Sequence, residues 1–269
     1  MRYLGGKHKI GEELSQFMIN ICSPNSVDGY MEPFCGSLGV FKHMTNRGYK
    51  KCIASDIQPD LIEMWKKLQK GTLKVPESMT EEEYNRLKEL KGGPNSQKAI
   101  AGFFLSFGGK YFGGYAQKWE KRGGKNYLQT FKNGIDKIRP TISRENVLFE
   151  NKSYLDLKPN KMLIYCDPPY RKTEGYAANK EKFNHEEFWD TMRKWSKNNF
   201  VLISEQMCPP DFKSVWSHLK KRTLTNELKN RKVKREHLFI YSGMKKTRKP
   251  EIKKNKNKTL KVRRLVANY

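Results

Sequence analysis

Asp167-Pro168-Pro169-Tyr170 follows directly on an apolar run that ends at Cys166, and the four residues together could do chemistry. In open α/β sheets ligands bind outside the carboxyl ends of the strands, so a carboxylate there is presented to a cleft rather than to the core. Two consecutive prolines fix φ and remove two N–H donors, which leaves a stiff turn whose carbonyls can accept from a ligand. Tyr170 sets a flat face beside them. Acceptors next to an aromatic platform suit a planar heterocycle with an exocyclic amine, such as an extruded adenine or cytosine. The bland alternative is an ordinary strand-to-loop turn.

A second constellation is Tyr30-Met31-Glu32-Pro33-Phe34-Cys35-Gly36-Ser37-Leu38-Gly39-Val40-Phe41, read as a strand, a small-residue turn and the start of a helix. Glycines let the backbone approach a nucleoside, and the acid expected about 20 residues on to hold a ribose hydroxyl stands at Asp56. The loop lacks a complete Gly-x-Gly-x-x-Gly and carries no basic residue, which favours a ligand without a pyrophosphate. S-adenosylmethionine fits that description and NAD does not. Asp56 could instead cap the helix that begins near Pro59.

These residues need elements to hold them. Buried parallel strands read as continuous apolar runs, and six qualify, at about 27–32, 52–56, 146–150, 161–166, 199–204 and 236–241. Between them lie three-and-four spaced apolar positions, Ile10, Leu14, Phe17, Met18 and Ile21, then Leu61, Met64, Trp65 and Leu68. Helix alternating with strand predicts an α/β fold with a mostly parallel, Rossmann-like sheet covered on both faces. A further helix start is expected at Asn184 or His185, with Glu187 completing its first turn.

The stretch from about 71 to 135 breaks the rhythm and reads as an insertion, charged and helical over Thr80 to Leu90, then rich in glycine, aromatic and basic residues. Aromatic and basic interleaving supplies stacking surfaces and counterion release, so Lys110, Lys118, Lys121 and Arg122 are assigned to nucleic acid; an aromatic subcore with solvated lysines is the alternative. Arg171, Lys172, Tyr176 and Lys180 follow the Asp-Pro-Pro-Tyr turn and could order over DNA. The expected organisation is an α/β domain over 1–70 and 136–244, an insertion over 71–135, and a basic tail over 245–269. That tail holds eleven Lys or Arg against Glu251 and reads as a sequence-independent DNA tether, whose closing Leu260 to Ala267 could form a last strand.

Composition bounds the function. With 54 Lys plus Arg against 28 Asp plus Glu, the 269-residue chain carries net charge +26, which points to a polyanionic partner. Its 36% hydrophobic and 12% aromatic content excludes a wholly disordered basic protein. No run approaches a spanning helix and the first residues lack a signal-peptide core, so a soluble cytoplasmic protein of a bacterium or virus-infected cell is expected, nuclear if the host is eukaryotic. The five cysteines are widely spaced, without a Cys-x-x-Cys pair, and read as reduced and buried, with no metal site.

The ordered motifs resemble the Dam-type DNA adenine N6-methyltransferases of bacteria and phages. Arg2-Tyr3-Leu4-Gly5-Gly6-Lys7 is similar to the family's opening motif, Glu32-Pro33-Phe34-Cys35-Gly36 to its cofactor loop, and Asp56-Ile57-Gln58-Pro59-Asp60-Leu61-Ile62 to its ribose-binding segment. Phe104 to Tyr115 resembles its target-recognition stretch, and Asp167-Pro168-Pro169-Tyr170 its catalytic signature. Any one motif is weak; their order carries the match. The resemblance implies a class I AdoMet-dependent methyltransferase fold, S-adenosylmethionine as cofactor, double-stranded DNA as partner and methylation of a flipped adenine. It implies DNA methylation of the kind found in restriction-modification; a monomer is the default, since a single flipped base needs only one site, with a dimer on DNA as the alternative.

By the same resemblance, Tyr3, Gly6, Lys7, Glu32, Phe34, Gly36, Asp56, Ile57 and Asp167 contact the cofactor. Asp167 and the Pro168 carbonyl accept from the adenine amine, Pro169 stiffens the turn, and Tyr170 stacks on the base. Tyr111 and Tyr115 join Lys110, Lys118, Lys121, Arg122, Arg171 and Lys172 as DNA contacts. Ser37-Leu38 stands where many members have further glycines and would narrow the cleft. A cytosine-N4 or RNA amino-methyltransferase uses the same tetrad chemistry, and a catalytically silent nucleic-acid-binding scaffold is the reading from another class.

Overall fold

The computed structural model describes residues 1–116, 126–170, 183–220 and 234–243. Its parallel strands are β1 (Gly29–Glu32), β2 (Cys52–Asp56), β3 (Val147–Asn151), β4 (Met162–Cys166) and β5 (Phe200–Glu205), each formed from an apolar run predicted above. Two more strands, β6 (Phe212–Lys220) and β7 (Lys234–Tyr241), complete a seven-stranded sheet in the order β3-β2-β1-β4-β5-β7-β6. β7 runs antiparallel to both of its neighbours. β6 was not predicted: Phe212-Lys-Ser-Val-Trp-Ser-His-Leu-Lys mixes polar and apolar positions, as an edge strand with one wet face does, rather than forming a continuous run. This is a Rossmann-like, mostly parallel α/β sheet with helices on both faces, as the alternation of helix and strand predicts. β1 lies between β2 and β4, so the strand order reverses there and opens a crevice at the carboxyl ends of these strands.

Alternation along the central strands divides the core between two faces. Leu163 and Tyr165 of β4 join Leu14, Met18, Phe41, Trp65, Phe104 and Phe131 on one side. Met162, Ile164 and Cys166 join Phe188, Trp189 and Met192 on the other. The first side is covered by α1 (Gly11–Ile21), α2 (Phe41–Met44), α3 (Pro59–Gln69) and α6 (Tyr127–Ile142), the second by α7 (His185–Trp195). Asn184 caps α7 as expected, its side chain accepting from the Glu186 and Glu187 N–H groups.

The segment after α3 begins with α4 (Glu81–Glu89), whose Thr80 and Glu83 form a reciprocal capping box, and continues through α5 (Ser96–Ala99). A wide turn over Ile100–Phe104 then buries Phe103 and Phe104 completely. Phe104 meets Trp65 edge-on at 6.2 Å and Phe131 at 4.8 Å between ring centroids, so this segment shares the core of α3 and the sheet. Position 135, the expected far edge of the insertion, falls within α6. The tail from 245, with its expected last strand, lies outside the described residues.

Candidate active site

β4 ends at Cys166, and the chain turns through Asp167-Pro168-Pro169-Tyr170 at the mouth of the crevice. Asp167 and Pro169 line a cleft shared with Tyr3, Gly6, Lys7, Glu32, Phe34, Gly36, Asp56 and Ile57, so every cofactor residue implied by the resemblance lies there. Lys7 joins the motifs: its Nζ donates to both Asp167 carboxylate oxygens at 2.6 and 2.7 Å and to the Tyr170 hydroxyl at 2.9 Å. It also stands 4.9 Å from the Tyr170 ring centroid and 3.4 Å from Glu236 Oε1. Lys7 is 4% exposed, and burial alone would pull its ammonium below the ordinary lysine range. The Asp167 and Glu236 carboxylates outweigh that and hold it above.

Close backbone contact carries Lys7 there. The Leu4 N–H donates to the Gly109 carbonyl at 3.1 Å, and Gly109 has φ +71° with its missing Cβ position only 2.6 Å from Tyr3 Cα. On the other side, a Cβ at Gly39 would stand 2.9 Å from the Lys7 backbone nitrogen. The N-terminal motif is thus wedged between two glycines of distant loops, which larger side chains would force apart.

The other half of the cleft is built on Asp56 at the carboxyl end of β2. Its Oδ2 accepts from the Gly36 N–H and its Oδ1 from the Gln58 N–H, both at 3.0 Å, so it braces the cofactor loop and the start of α3 at once. Burial raises the Asp56 carboxyl above its ordinary value, against backbone N–H groups that pull it down. Gly36 has φ +45°, its carbonyl accepts from the Trp65 indole at 2.9 Å, and a Cβ there would meet the Tyr3 ring at 2.9 Å. Phe34 and Tyr154, 5.3 Å apart between centroids, form an aromatic wall, and Ile57 is 53% exposed in the cleft.

The donor set fits S-adenosylmethionine. The Asp56 carboxylate suits a ribose hydroxyl, flat apolar walls suit adenine, and the Ser37 hydroxyl in the lining has no hydrogen-bond partner among the described residues. Leu38 does not narrow the cleft as expected. It adopts the glycine-like φ of +59° and turns its side chain, fully buried, into the core.

Three residues sequence reasoning left unassigned complete the site. Glu236 of β7, 2% exposed, accepts from Tyr170 and, at 2.5 Å, from the Ser204 hydroxyl. Tyr30 donates to Glu32 at 2.5 Å, while burial pushes the Glu32 carboxyl well above its ordinary value and Asp167 adds to the rise. The signal for Glu236 was a carboxylate opening an otherwise apolar strand run.

Of the expected DNA contacts, Lys118, Lys121, Arg122, Arg171 and Lys172 lie outside the described residues, as do Tyr176 and Lys180. Lys110 is half-buried. Tyr111 donates to Asp60 Oδ2 at 2.9 Å and Tyr115 to the Met79 carbonyl, so both hydroxyls serve the fold. Among the described residues no helix is long and apolar enough to cross a membrane, and no His, Cys, Asp and Glu cluster could hold a metal ion.

Residues 3–104 match the family model of the D12 class N6 adenine-specific DNA methyltransferases, in agreement with the motif resemblance. No curated protein matches by sequence. Among solved structures, the chain is similar to the methyltransferase-like yhhF protein of Escherichia coli, at 12% identity over 90% of this chain and 97% of that one, with a TM-score of 0.35. A methylase-like protein of Haemophilus influenzae shows 15% identity over 85% and 96%, with a TM-score of 0.32.

Proposed function

We propose that this chain, which matches the D12 class N6 adenine-specific DNA methyltransferases over residues 3–104, transfers a methyl group from S-adenosylmethionine to N6 of an adenine flipped out of double-stranded DNA. The observation that carries the reading is the shared cleft: the Asp167 turn at one end, Asp56 and Gly36 at the other, and Lys7 tying the N-terminal motif to Asp167.

The cofactor supplies an electrophilic methyl group on a sulfonium sulfur. Asp56 would hold the ribose hydroxyls, and Phe34, Ile57 and Tyr154 would flank the adenine of the cofactor. On the substrate side, Asp167 and the Pro168 carbonyl accept hydrogen bonds from the N6 amine and leave its lone pair directed outward. Tyr170 would offer the base a flat face beside these acceptors. The proton that N6 sheds passes to the Asp167 carboxylate and on to water. Most of the rate then comes from holding two reactants in line and from electrostatic fit to a dispersing positive charge. Binding of the duplex rests on the net +26 charge, to which Lys110, Lys118, Lys121, Arg122, Arg171, Lys172 and the tail from 245 would contribute by neutralising phosphates.

The test is nucleoside mass analysis of unmethylated duplex DNA and of RNA after incubation with the protein and S-adenosylmethionine. N6-methyladenine in the DNA digest is expected. N4-methylcytosine, methylated RNA alone or no product at all would each overturn the reading.

A further inference from the structure

Glu236 lies outside every motif of the resemblance, yet it is a hub of the buried cluster beside the catalytic turn. Its Oε1 accepts from Tyr170 and Ser204, whose hydroxyls are themselves 3.1 Å apart, and faces Lys7 Nζ at 3.4 Å. β7 delivers it there because this antiparallel strand inserts next to β5 and brings the start of its run to the carboxyl ends of the parallel strands. A carboxylate 2% exposed costs free energy unless it is paired, and three donors from three separate segments converge on this one.

The arithmetic of charge gives the cluster a purpose. Lys7 alone with Asp167 would form a closed ion pair and hold the acceptor that the target amine needs. Without substrate Lys7 Nζ holds both Asp167 oxygens at 2.6 and 2.7 Å, and Glu236, 3.4 Å away, offers the ammonium a second carboxylate to turn to when the target amine takes its place on Asp167, while it also holds the Tyr170 hydroxyl inward. We propose that Glu236 is a positioning residue of the transfer site, which anchors Tyr170 and takes part of the Lys7 charge so that Asp167 stays available to the substrate amine. The proposal rests on the methyltransferase reading above.

Among the described residues the titratable groups that face Asp167 are Lys7 from the N-terminal segment, Glu32 from β1, Tyr165 and Cys166 from β4 and Tyr170 from the turn, and Glu236 from β7 shares Lys7 with it. Removing one negative charge from that set favours the ionised form of Asp167. Glu236→Gln, which keeps the shape and an acceptor oxygen, is therefore expected to lower kcat about tenfold or more, a loss of the size that follows from a misplaced reacting group. It should leave the KM for DNA and the S-adenosylmethionine Kd nearly unchanged, and move the acid limb of the pH–kcat profile to lower pH. Glu236→Asp restores the charge and should return part of kcat and the original limb.

A wild-type protein that methylates DNA beside a Glu236→Gln variant with unaltered kcat and unaltered limb overturns this proposal alone. A wild-type protein that makes no methylated product overturns the methyltransferase reading and this proposal with it. If Glu236→Gln does not melt cooperatively, Tyr170→Phe and Ser204→Ala decide the matter, since each removes one donor to Glu236. A loss of kcat in both supports the anchoring role, and wild-type kcat in both overturns it.

Discussion

Lys7→Met removes the ammonium that stands between Asp167 and Glu236 and keeps most of the side chain's apolar length. Its Nζ contacts at 2.6, 2.7, 2.9 and 3.4 Å would all be lost from a residue only 4% exposed. The variant leaves two carboxylates facing one another, and removing one partner of a buried ion pair costs about 3–5 kcal/mol. For a chain of this size that lowers Tm by about 6–20 °C.

The pH dependence follows by sign. The wild-type Lys7 pKa is raised, so its contribution is fully present below the ordinary lysine value and is lost only as pH rises through the raised one. Between pH 5 and 8 the wild-type lysine therefore does not titrate. In the variant, one of two adjacent carboxylates binds a proton more readily folded than unfolded, so its stability rises as pH falls and the gap to wild type narrows from pH 8 towards pH 5. Thermal denaturation of both proteins across that range, with S-adenosylmethionine absent, is the assay. A Tm within about 2 °C of wild type at pH 8 would refute the assignment of Lys7 as the buried bridge.

Gly36→Ala forces a Cβ to 2.9 Å from the Tyr3 ring at φ +45°, a conformation that costs an L-residue about 1–2 kcal/mol. S-adenosylmethionine affinity by calorimetry should fall, and an unchanged Kd would contradict the role of this loop. Asp56→Ala removes a charged acceptor and should weaken S-adenosylmethionine about 10- to 100-fold. In the wild type the same affinity should weaken as pH drops towards the raised Asp56 value, because the protonated carboxyl loses acceptor strength. Burial raises the Cys35, Cys166 and Cys208 thiols and takes Cys52 up to about 12, so a thiol reagent at pH 7 should react slowly with the native protein, Cys208 first, and quickly after unfolding.

Four of the five parallel strands were legible because both faces of a central parallel strand are covered, so each reads as a short unbroken apolar run; the edge strand β3 was legible from Val147, Leu148 and Phe149 although Leu148 is exposed. β6 escaped the same test because Lys213, Ser217 and Lys220 interrupt it, as a wet-sided edge strand requires. The aromatic stretch from Phe103 to Tyr115 looked alike for a stacking surface and for a core. Composition cannot separate the two, and only tertiary contacts with Trp65, Phe131 and Asp60 show how much of it serves packing. Asp167 and Asp56 could be placed from the sequence since each ends an apolar run, where a strand hands its next residue to the cleft. Glu236 could not, because its partners Lys7, Tyr170 and Ser204 are far from it in sequence and meet it through the antiparallel insertion of β7.

The measurement that tests the central claim most directly is transfer of a labelled methyl group from S-adenosylmethionine to unmethylated duplex DNA by the wild-type protein and by Asp167→Ala, with the product nucleoside identified by mass. The account predicts N6-methyladenine from the wild type and none from the variant. Equal product from both proteins, or none from a wild type that binds cofactor and DNA, would contradict it.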